Sequence, residues 1–438
     1  MSIPDNPQQF TRLDEWLALL EQAHSIHKIE LGLERAREVA LRLDLLTPSA
    51  KVITVAGTNG KGSTVAAAES LAMSHKLSVG SYTSPHLIRF NERIKINGED
   101  ASDDLIVEAF KAVYEAKKEI QLTFFEFTTL IALWLFKQQA VELIVLEVGL
   151  GGRLDAVNII DADICVVTSI GLDHTDWLGT DLKSIAGEKA GVGRAGKPMV
   201  ITDSASEHLL LPHCERIGCI PWVAEKDFSI EMDRLYWRYQ SSCVSLEFHE
   251  LPLNNLYLPN LAAALTAFAF CYETLMGKSV SYAGIYKAFE RLSVAGRFQV
   301  LSESPHIIVD VAHNPDSAKL LNSKLAELKA SGTNRIVALC GMLKDKDSLQ
   351  TLAQMKHVDQ WHLIDLEGPR GKKSRELLQD LPQMSQNTAK CYESLGHFDR
   401  SCTEKSCLDS NDALVVFGSF VTVGLFVEYW QKEGFAWI

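Results

Sequence analysis

The chain has 438 residues, with 43 basic and 56 acidic side chains and a formal charge of −13. This length exceeds the usual size of one hydrophobic core and predicts two or three domains, and the acidic balance argues against nucleic acid as a partner. Hydrophobic residues make up 47% of the chain and charged residues 23%, a composition typical of globular proteins.

Secretion and membrane insertion are also disfavoured. Residues 1–10 lack the basic start and apolar run of a secretory signal. The most apolar helical stretch, residues 124–136, contains Glu126 and is too short to cross a bilayer. The nine cysteines show no zinc-type spacing. We therefore expect a cytoplasmic protein with reduced thiols and no membrane partner.

Residues 51–223 alternate between short apolar runs and segments with helical spacing. The predicted strands are 51–55, 143–147, 164–168 and 198–202, and the predicted helices are 64–75, 102–118, 124–139 and 181–190. This alternation predicts a parallel sheet covered by helices. From 227 to 250 apolar and polar residues alternate singly, which predicts a small antiparallel excursion, and helices are expected at 260–275 and 280–292.

A glycine-rich turn joins the first predicted strand to the helix after it. The stretch VAGTNGKGST, residues 55–64, places glycine and lysine at Gly60 and Lys61. It lacks the first glycine of the general phosphate-loop pattern and the Ser or Thr after the lysine. A strand, a glycine turn and a helix N-terminus direct backbone N–H groups at phosphate. The alternative is a glycine turn with an incidental surface lysine.

A second alternation begins after Phe298. Strands are predicted at 307–310, 336–339, 360–364 and 414–417, with helices near 316–330, 346–356, 372–380 and 421–432. We therefore predict an α/β fold. Residues 1–296 would form a domain with a phosphate-loop-type, mostly parallel sheet, and residues 297–438 would form a Rossmann-like domain.

Polar side chains stand where predicted strands end, which is where ligands gather in open α/β sheets. Glu147 closes an apolar run and is costly to bury unless it is paired or metal-bound. His174 and Asp310 also follow strands. His174 alone could equally be a surface histidine, and Ser84 alone could cap the turn before Pro85.

Six segments, in order, resemble those of the folylpolyglutamate synthase family, and more closely its bifunctional dihydrofolate synthase branch, within the Mur ligase group. The resemblance covers nearly the whole chain, and this family carries Gly-Lys-Gly in its loop, so Gly62 departs only from the general pattern. The segments are Gly57–Ser63, Thr83–His86, Glu147–Asp155, Leu172–His174, Glu188–Gly191 and Asp310–Pro315.

The resemblance implies ATP and Mg²⁺ as cofactors, L-glutamate, dihydropteroate and reduced folates as substrates, and a monomer. Lys61 would bridge the β- and γ-phosphates while the loop amides cradle them. We expect two Mg²⁺ ions and leave a monovalent cation open. The implied loop residues are Thr58, Asn59, Gly60 and Lys61, and the implied metal ligands are Ser84, Glu147 and His174.

Further roles follow from the same resemblance. Asn260 would lie beside adenine, Arg297 would contact phosphate from the domain hinge, and Asp310 and His313 would face the nucleotide. Lys189 would be carbamylated by carbon dioxide. The simpler alternatives are a helix cap for Asn260, an inter-domain salt bridge for Arg297 and an ordinary helix lysine for Lys189.

The pterin would contact three segments in which aromatic residues stand beside carboxylates, although the stripe Phe124, Phe127, Ile131 and Trp134 also has the spacing of a helix core. The implied pterin residues are Leu31, Gly32, Leu33, Glu34, Thr123, Phe124, Phe125, Glu126, Leu154, Asp155 and Ala156.

These roles together imply an ATP-dependent amide ligase that works through an acyl phosphate. Three alternatives stay open. The first is a monofunctional folylpolyglutamate synthase. The second is a Mur-type ligase for a cell-wall precursor, against which the Gly-Lys-Gly loop and Thr83–His86 stand. The third is a regulatory module that hydrolyses ATP slowly.

Overall fold

A computed structural model describes residues 7–23, 30–405 and 408–434 of the chain. The chain forms two compact units that divide between Leu292 and Ser293, close to the predicted boundary at 296. No helix in the described ranges is long and apolar enough to cross a membrane.

The first unit contains helices α1 to α10 and strands β1 to β11. The helices are α1 (Leu13–Ala23), α2 (Glu34–Arg42), α3 (Lys61–Ser74), α4 (Asp103–Lys117), α5 (Phe124–Gln138), α6 (Thr175–Leu178), α7 (Leu182–Ala190), α8 (Glu207–Ile217), α9 (Leu258–Met276) and α10 (Tyr282–Glu290). The strands are β1 (Lys51–Ala56), β2 (Val79–Tyr82), β3 (Ile94–Ile96), β4 (Glu99–Asp100), β5 (Leu143–Glu147), β6 (Ile164–Val167), β7 (Pro198–Ile201), β8 (Ile220–Val223), β9 (Phe228–Met232), β10 (Tyr236–Ser241) and β11 (Leu246–Pro252).

The main sheet of this unit has eight strands in the order β4-β3-β2-β5-β1-β6-β7-β8. Six neighbouring strands of this sheet are parallel, namely β2, β5, β1, β6, β7 and β8. Strands β3 and β4 are antiparallel and lie at one edge. Strands β9 to β11 form a separate antiparallel sheet. The predicted parallel sheet with its antiparallel excursion is therefore confirmed.

Helices cover the central strands, which explains why the sequences of these strands are apolar. Every residue of β1 after Lys51 is buried, as are all residues of β5 and β6. The sequences of strands that are buried on both faces are continuous apolar runs. An aromatic cluster closes the core near α1 and α4, where Trp16 stacks on Phe110 with ring centroids 5.3 Å apart. Because parallel strands end at one edge, the loops after β1, β2, β5 and β6 become neighbours.

The second unit has a six-stranded sheet in the order β12-β13-β17-β14-β15-β16, parallel except for β12. Sequence analysis did not predict the two edge strands, β12 and β16, nor α14 and α15. The strands are β12 (Gln299–Glu303), β13 (His306–Val309), β14 (Ile336–Cys340), β15 (Gln360–Ile364), β16 (Lys390–Tyr392) and β17 (Ala413–Phe417). The helices are α11 (Pro315–Ala330), α12 (Ser348–Ala353), α13 (Ser374–Asp380), α14 (Gln383–Gln386), α15 (Leu395–Lys405) and α16 (Phe420–Lys432).

Cysteine chemistry differs from the expectation at one residue. Among the described residues, seven cysteines are free thiols, most of them buried, but Cys402 is disulfide-bonded. The expectation of uniformly reduced thiols is therefore wrong for Cys402, because the absence of a zinc-type spacing does not exclude a pairing.

Candidate active site

The loop between β1 and α3 depends on glycine at two positions. Gly60 has φ +88°, and a Cβ there would lie 2.3 Å from Nδ2 of Asn260. At Gly57 a Cβ would lie 1.8 Å from Oγ1 of Thr168. Only glycine tolerates both the backbone conformation and the close approach. Asn260, in the first turn of α9, thus lies against the loop, and its position beside adenine stays a prediction.

The loop is also held by the residues that follow β6. The amide of Thr58 donates to the carbonyl of Ser169 at 2.8 Å, and the amide of Asn59 donates to Ser169 Oγ at 3.0 Å. Thr168 Oγ1 donates to the carbonyl of Asn59 at 2.6 Å. Sequence analysis missed Thr168 and Ser169, although two hydroxyl residues at the end of the neighbouring strand were a signal for them.

Lys61 begins α3 and folds back over the loop. Its Nζ donates to the carbonyls of Gly57 at 3.0 Å and Thr58 at 3.3 Å. A cation at the start of a helix, beside the glycine turn, is an arrangement that binds phosphate. Lys61 therefore lies beside the glycine turn at the start of α3, and its contact with phosphate stays a prediction.

Two predicted metal ligands, Ser84 and Glu147, meet at the ends of neighbouring strands β2 and β5. The amide of Ser84 donates to Glu147 Oε2 at 3.2 Å, and Glu147 is only 4% exposed. A buried carboxylate beside a serine offers the hard oxygen ligands that Mg²⁺ prefers, with room in its octahedron for water and phosphate. These two residues fit the metal that the sequence implies.

The third predicted ligand, His174, lies before the short helix α6 with a left-handed backbone, φ 51°. Its side chain is 39% exposed, and its Nε2 lies 3.9 Å from Asp173 Oδ2. Within residues 7–23, 30–405 and 408–434, no three His, Cys, Asp or Glu side chains converge as a metal site. Its role as a ligand therefore stays a prediction.

Lys189 is buried near the end of α7, with 4% of its surface exposed. Burial and, to a smaller extent, the positive charge of Lys61 lower its pKa to about 7, although Asp173 and Asp155 oppose that shift. Lys189 is therefore within electrostatic reach of the loop lysine and of two acids.

Asp155 organises the glycine segment after β5. Its Oδ2 accepts from the amide of Leu150 at 2.8 Å and its Oδ1 from the amide of Val157 at 3.0 Å. Burial raises its pKa to about 7 despite these bonds. A Cβ at Gly149 would lie 2.6 Å from the ring of Phe125, so the predicted pterin residues Phe125 and Asp155 both lie close to the segment 149–150.

The start of α5 holds three more of the predicted pterin residues, and each has a structural partner. Thr123 and Glu126 form a capping box, in which the Thr123 amide donates to Glu126 Oε2 at 2.7 Å. Arg35 Nε donates to Glu126 Oε1 at 3.1 Å. Phe124 is buried in the aromatic core. The core interpretation of this stripe therefore holds for Phe124, as well as for Phe127 and Ile131.

The segments at residues 31–34 and 154–156 complete the predicted pterin set. Leu31, Gly32 and Leu33 are half-buried immediately before α2, and the exposed Glu34 accepts from the amide of Leu33 at 3.1 Å. Leu154 is half-buried and Ala156 is buried at the start of a 3₁₀ turn that Asp155 caps.

Arg93, which was not predicted as a site residue, is buried near Glu147. Its Nε donates to His86 Nδ1 at 2.8 Å, and its guanidinium carbon lies 5.5 Å from the centre of the Phe124 ring. Burial, with the charge of Arg93, lowers the pKa of His86 to about 4. The signal was an arginine in the same segment as Ser84, which sequence analysis left without a role.

In the second unit, Asp310, Arg297 and His313 lie around the turn that follows β13. Asp310 accepts from the amides of Phe298 and Ala312, both at 2.8 Å. Desolvation raises the pKa of Asp310, while the charges of Arg297 and His313 lower it. Arg297 lies over the Phe420 ring at 5.2 Å, and His313 Nδ1 lies 2.9 Å from the carbonyl oxygen of Val311.

Comparisons with known proteins identify the family of the whole chain. Residues 296–420 match the family model for the Mur ligase, glutamate ligase domain. The Escherichia coli dihydrofolate synthase/folylpolyglutamate synthase is 40% identical over 430 residues, which is 98% of each chain. The Lacticaseibacillus casei folylpolyglutamate synthase is 32% identical over 68% of this chain and 72% of its own.

Two solved structures resemble the whole chain. The E. coli enzyme FolC in complex with DHPP and ADP has a TM-score of 0.90 and 40% identity, covering 97% of this chain and 99% of its own. The bifunctional enzyme from Yersinia pestis complexed with AMPPNP and an Mn ion has a TM-score of 0.89 and 39% identity, covering 98% and 100%. The chain therefore belongs to the dihydrofolate synthase/folylpolyglutamate synthase family, which are ATP-dependent ligases of the Mur ligase group.

Proposed function

We propose that this protein joins L-glutamate to dihydropteroate, forming dihydrofolate, and to the terminal glutamate of reduced folates. The observation that carries the proposal is the loop from Gly57 to Lys61, with its lysine at the start of α3 and Asn260 against Gly60. This loop occurs in a chain that is 40% identical over its length to a bifunctional ligase.

The reaction requires activation of a carboxylate. The acceptor carboxylate attacks the γ-phosphorus of ATP, which forms an acyl phosphate and releases ADP. The amine of L-glutamate then attacks the acyl carbon, an amide forms, and phosphate leaves. Direct condensation fails because hydroxide is a poor leaving group, so the protein contributes mainly positioning and neutralisation of charge.

In this proposal, residues of the first unit bind the nucleotide and the metal ions. Lys61 exchanges its two loop carbonyls for phosphate oxygens as the nucleotide binds, and Asn260 lies beside the nucleotide. Ser84 and Glu147, with His174, would hold Mg²⁺, which neutralises phosphate charge when bound. We propose two Mg²⁺ ions. One relative was solved with Mn, AMPPNP and L-glutamate bound, which supports a divalent ion in this family.

We propose in addition that Lys189 is carbamylated. Its neutral amine would attack carbon dioxide, forming an N–C bond and releasing a proton. Burial supports this step, since a pKa of about 7 leaves much of the amine neutral near pH 7. An ammonium at this position repels the cation of Lys61, whereas a carbamate attracts it and offers two oxygens to a metal.

The decisive experiment identifies products by mass after incubation of the protein with dihydropteroate, ATP, Mg²⁺ and L-glutamate, and in parallel with tetrahydrofolate. We expect dihydrofolate in the first reaction and glutamate-extended folate in the second. Extension of tetrahydrofolate with no product from dihydropteroate would show a monofunctional enzyme. We also propose a cytoplasmic monomer, which sedimentation at micromolar concentration would test for the oligomeric state.

A further inference from the structure

Two thiols meet at the C-terminal end of α8. Gly218 has a left-handed backbone, and its amide donates to the carbonyl of Glu215 at 3.2 Å. The amide of Cys219 donates to the carbonyl of Cys214 at 3.1 Å. This pair of bonds defines a Schellman motif, in which the first and last side chains contact each other. In this chain both of those side chains are cysteines.

The surroundings of the two thiols are rich in sulfur and open to solvent on one side. Cys214 Sγ lies 3.5 Å from Met199 Sδ, and Cys219 Sγ lies 3.8 Å from the carbonyl oxygen of Cys214. Cys214 is 1% exposed and Cys219 is 7% exposed. Both line an open pocket of about 360 Å³ together with Leu211, Pro212, Glu215 and Pro221.

The two thiols are chemically unequal. The contact between the two thiols, with burial, raises the pKa of Cys214, and the same contact lowers the pKa of the Cys219 thiol. Thiolates are the nucleophiles of disulfide exchange, and a neighbouring thiol can resolve the mixed disulfide that forms. Cys219, the more exposed of the two, is therefore placed to react first.

We propose that Cys214 and Cys219 form a dithiol site that takes small-molecule disulfides through the open pocket. The Cys219 thiolate attacks one sulfur of the reagent and forms a mixed disulfide with it, while the reagent's S–S bond breaks and its other sulfur leaves as a thiolate. The Cys214 sulfur, after losing its proton to that leaving thiolate, attacks Cys219 Sγ and releases the second half as a thiolate. The protein loses two electrons and two protons, and one reagent disulfide becomes two thiols.

The cross-link would fasten the turn next to the helix that carries Lys189. A Cβ at Gly187 of α7 would lie 2.9 Å from the ring of His213, the residue before Cys214. A Cβ at Gly193, after α7, would lie 3.4 Å from Cys219 Sγ. The disulfide joins two residues of one turn, so oxidation stiffens the end of α8 that lies beside α7 and requires no change in the phosphate loop.

The test uses the full chain and 2-hydroxyethyl disulfide, followed by alkylation of free thiols and tryptic digestion. Trypsin cleaves at Arg216, between the two cysteines, so the proposed disulfide joins peptides 195–216 and 217–226. We expect this linked pair to form at least about tenfold faster than any adduct at Cys243 or Cys391, two half-buried thiols that serve as internal controls. Dithiothreitol should reverse it.

A second arm uses the Cys214→Ala variant, in which the resolving thiol is absent. We expect Cys219 to accumulate as a mixed disulfide with the reagent, which the wild-type protein resolves. The proposal is overturned if the wild-type protein yields no linked peptide, or if it keeps a stable mixed disulfide at Cys219. Reaction at Cys219 no faster than at Cys243 would also overturn it.

Discussion

The loop at Gly57–Lys61 and the turn at Asp310–Asn314 both join a parallel strand to a helix, but different residues build them. Glycine shapes the first, and Lys61 lies at the start of its helix. Side chains shape the second, where Asp310 accepts two backbone amides and Asn314 caps α11 by accepting from the amide of Ser317 at 2.9 Å. The first turn therefore presents a cation, and the second presents a carboxylate and a histidine.

This difference shows that a strand, a turn and a helix do not by themselves make a phosphate site. What decides the ligand is which groups satisfy the amides of the turn and which charge remains at the helix start. In the second unit the Asn314 side chain occupies the position that an anion would take at α11. In the first unit Gly60 precedes α3 and provides no such side chain.

The largest expected effect tests the loop. Lys61→Ala should reduce kcat/KM for ligation at least about a hundredfold, a loss of about 2.7 kcal/mol, because it removes the cation beside the γ-phosphate. Lys287→Ala, at an exposed position on α10, is the matched control and should keep full activity. Steady-state rates measure both. Activity of Lys61→Ala within about tenfold of wild type would place the phosphate elsewhere.

Lys189→Ala should lower ligation roughly thirtyfold, about 2 kcal/mol, with partial rescue by short carboxylates that fill the vacated anionic position. Lys183→Ala, an exposed lysine on the same helix, should change little. Labelled bicarbonate and carbon NMR would detect the carbamate directly. Electron density for an unmodified amine, in crystals grown with bicarbonate, Mg²⁺ and nucleotide, would contradict carbamylation.

The lowered pKa of Lys189 also predicts a pH dependence of stability when carbon dioxide is excluded. Between about pH 7 and the pKa of an unfolded lysine, the native state holds this amine neutral while the unfolded state holds it protonated. The unfolded state then binds more protons, so stability rises with pH, by about 2 kcal/mol over 1.5 units. Urea unfolding of wild type and Lys189→Met should diverge accordingly, whereas parallel curves would show an accessible, charged lysine.

Asp310→Asn tests the turn of the second unit, because it should lower the free energy of unfolding. An amide oxygen replaces one acceptor, but the NH₂ group cannot accept from the other backbone amide, which should cost about 1.5 kcal/mol of stability. Asp316→Asn, at an exposed position in the first turn of α11, is the control. Urea unfolding measures both. Equal midpoints for the two variants would mean that the carboxylate does not hold this turn.

The smallest expected effect separates a structural from a binding role at Thr123. Loss of the cap in Thr123→Ala should cost about 1 kcal/mol of stability. If Thr123 also contacts the pterin, as we expect, KM for dihydropteroate should rise while KM for ATP stays constant. Ser281→Ala removes the cap of α10 and serves as the comparison. A KM for dihydropteroate that Thr123→Ala leaves unchanged would assign Thr123 to the helix alone.

The elements that could be predicted from sequence are those whose pattern is local. The central strands are continuous apolar runs, and the bounds of α5, α9 and α11 follow from periodicity and caps such as Thr123 and Asn314. The edge strands β12 and β16 are short and partly exposed, so their sequences carry no such run. Contacts between distant segments, such as Ser169 with the loop or Arg93 with His86, depend on strand order and were missed.

The order of the strands in the eight-stranded sheet also affects the tendency of the protein to aggregate at high concentration. One edge is β4, which has two residues, both exposed carboxylates, and the other is β8, which contains Pro221. Unpaired edges template the addition of strands from other molecules, and charge, brevity and proline each oppose this. The large apolar sheet of the first unit is thus shielded at both ends against growth into aggregates.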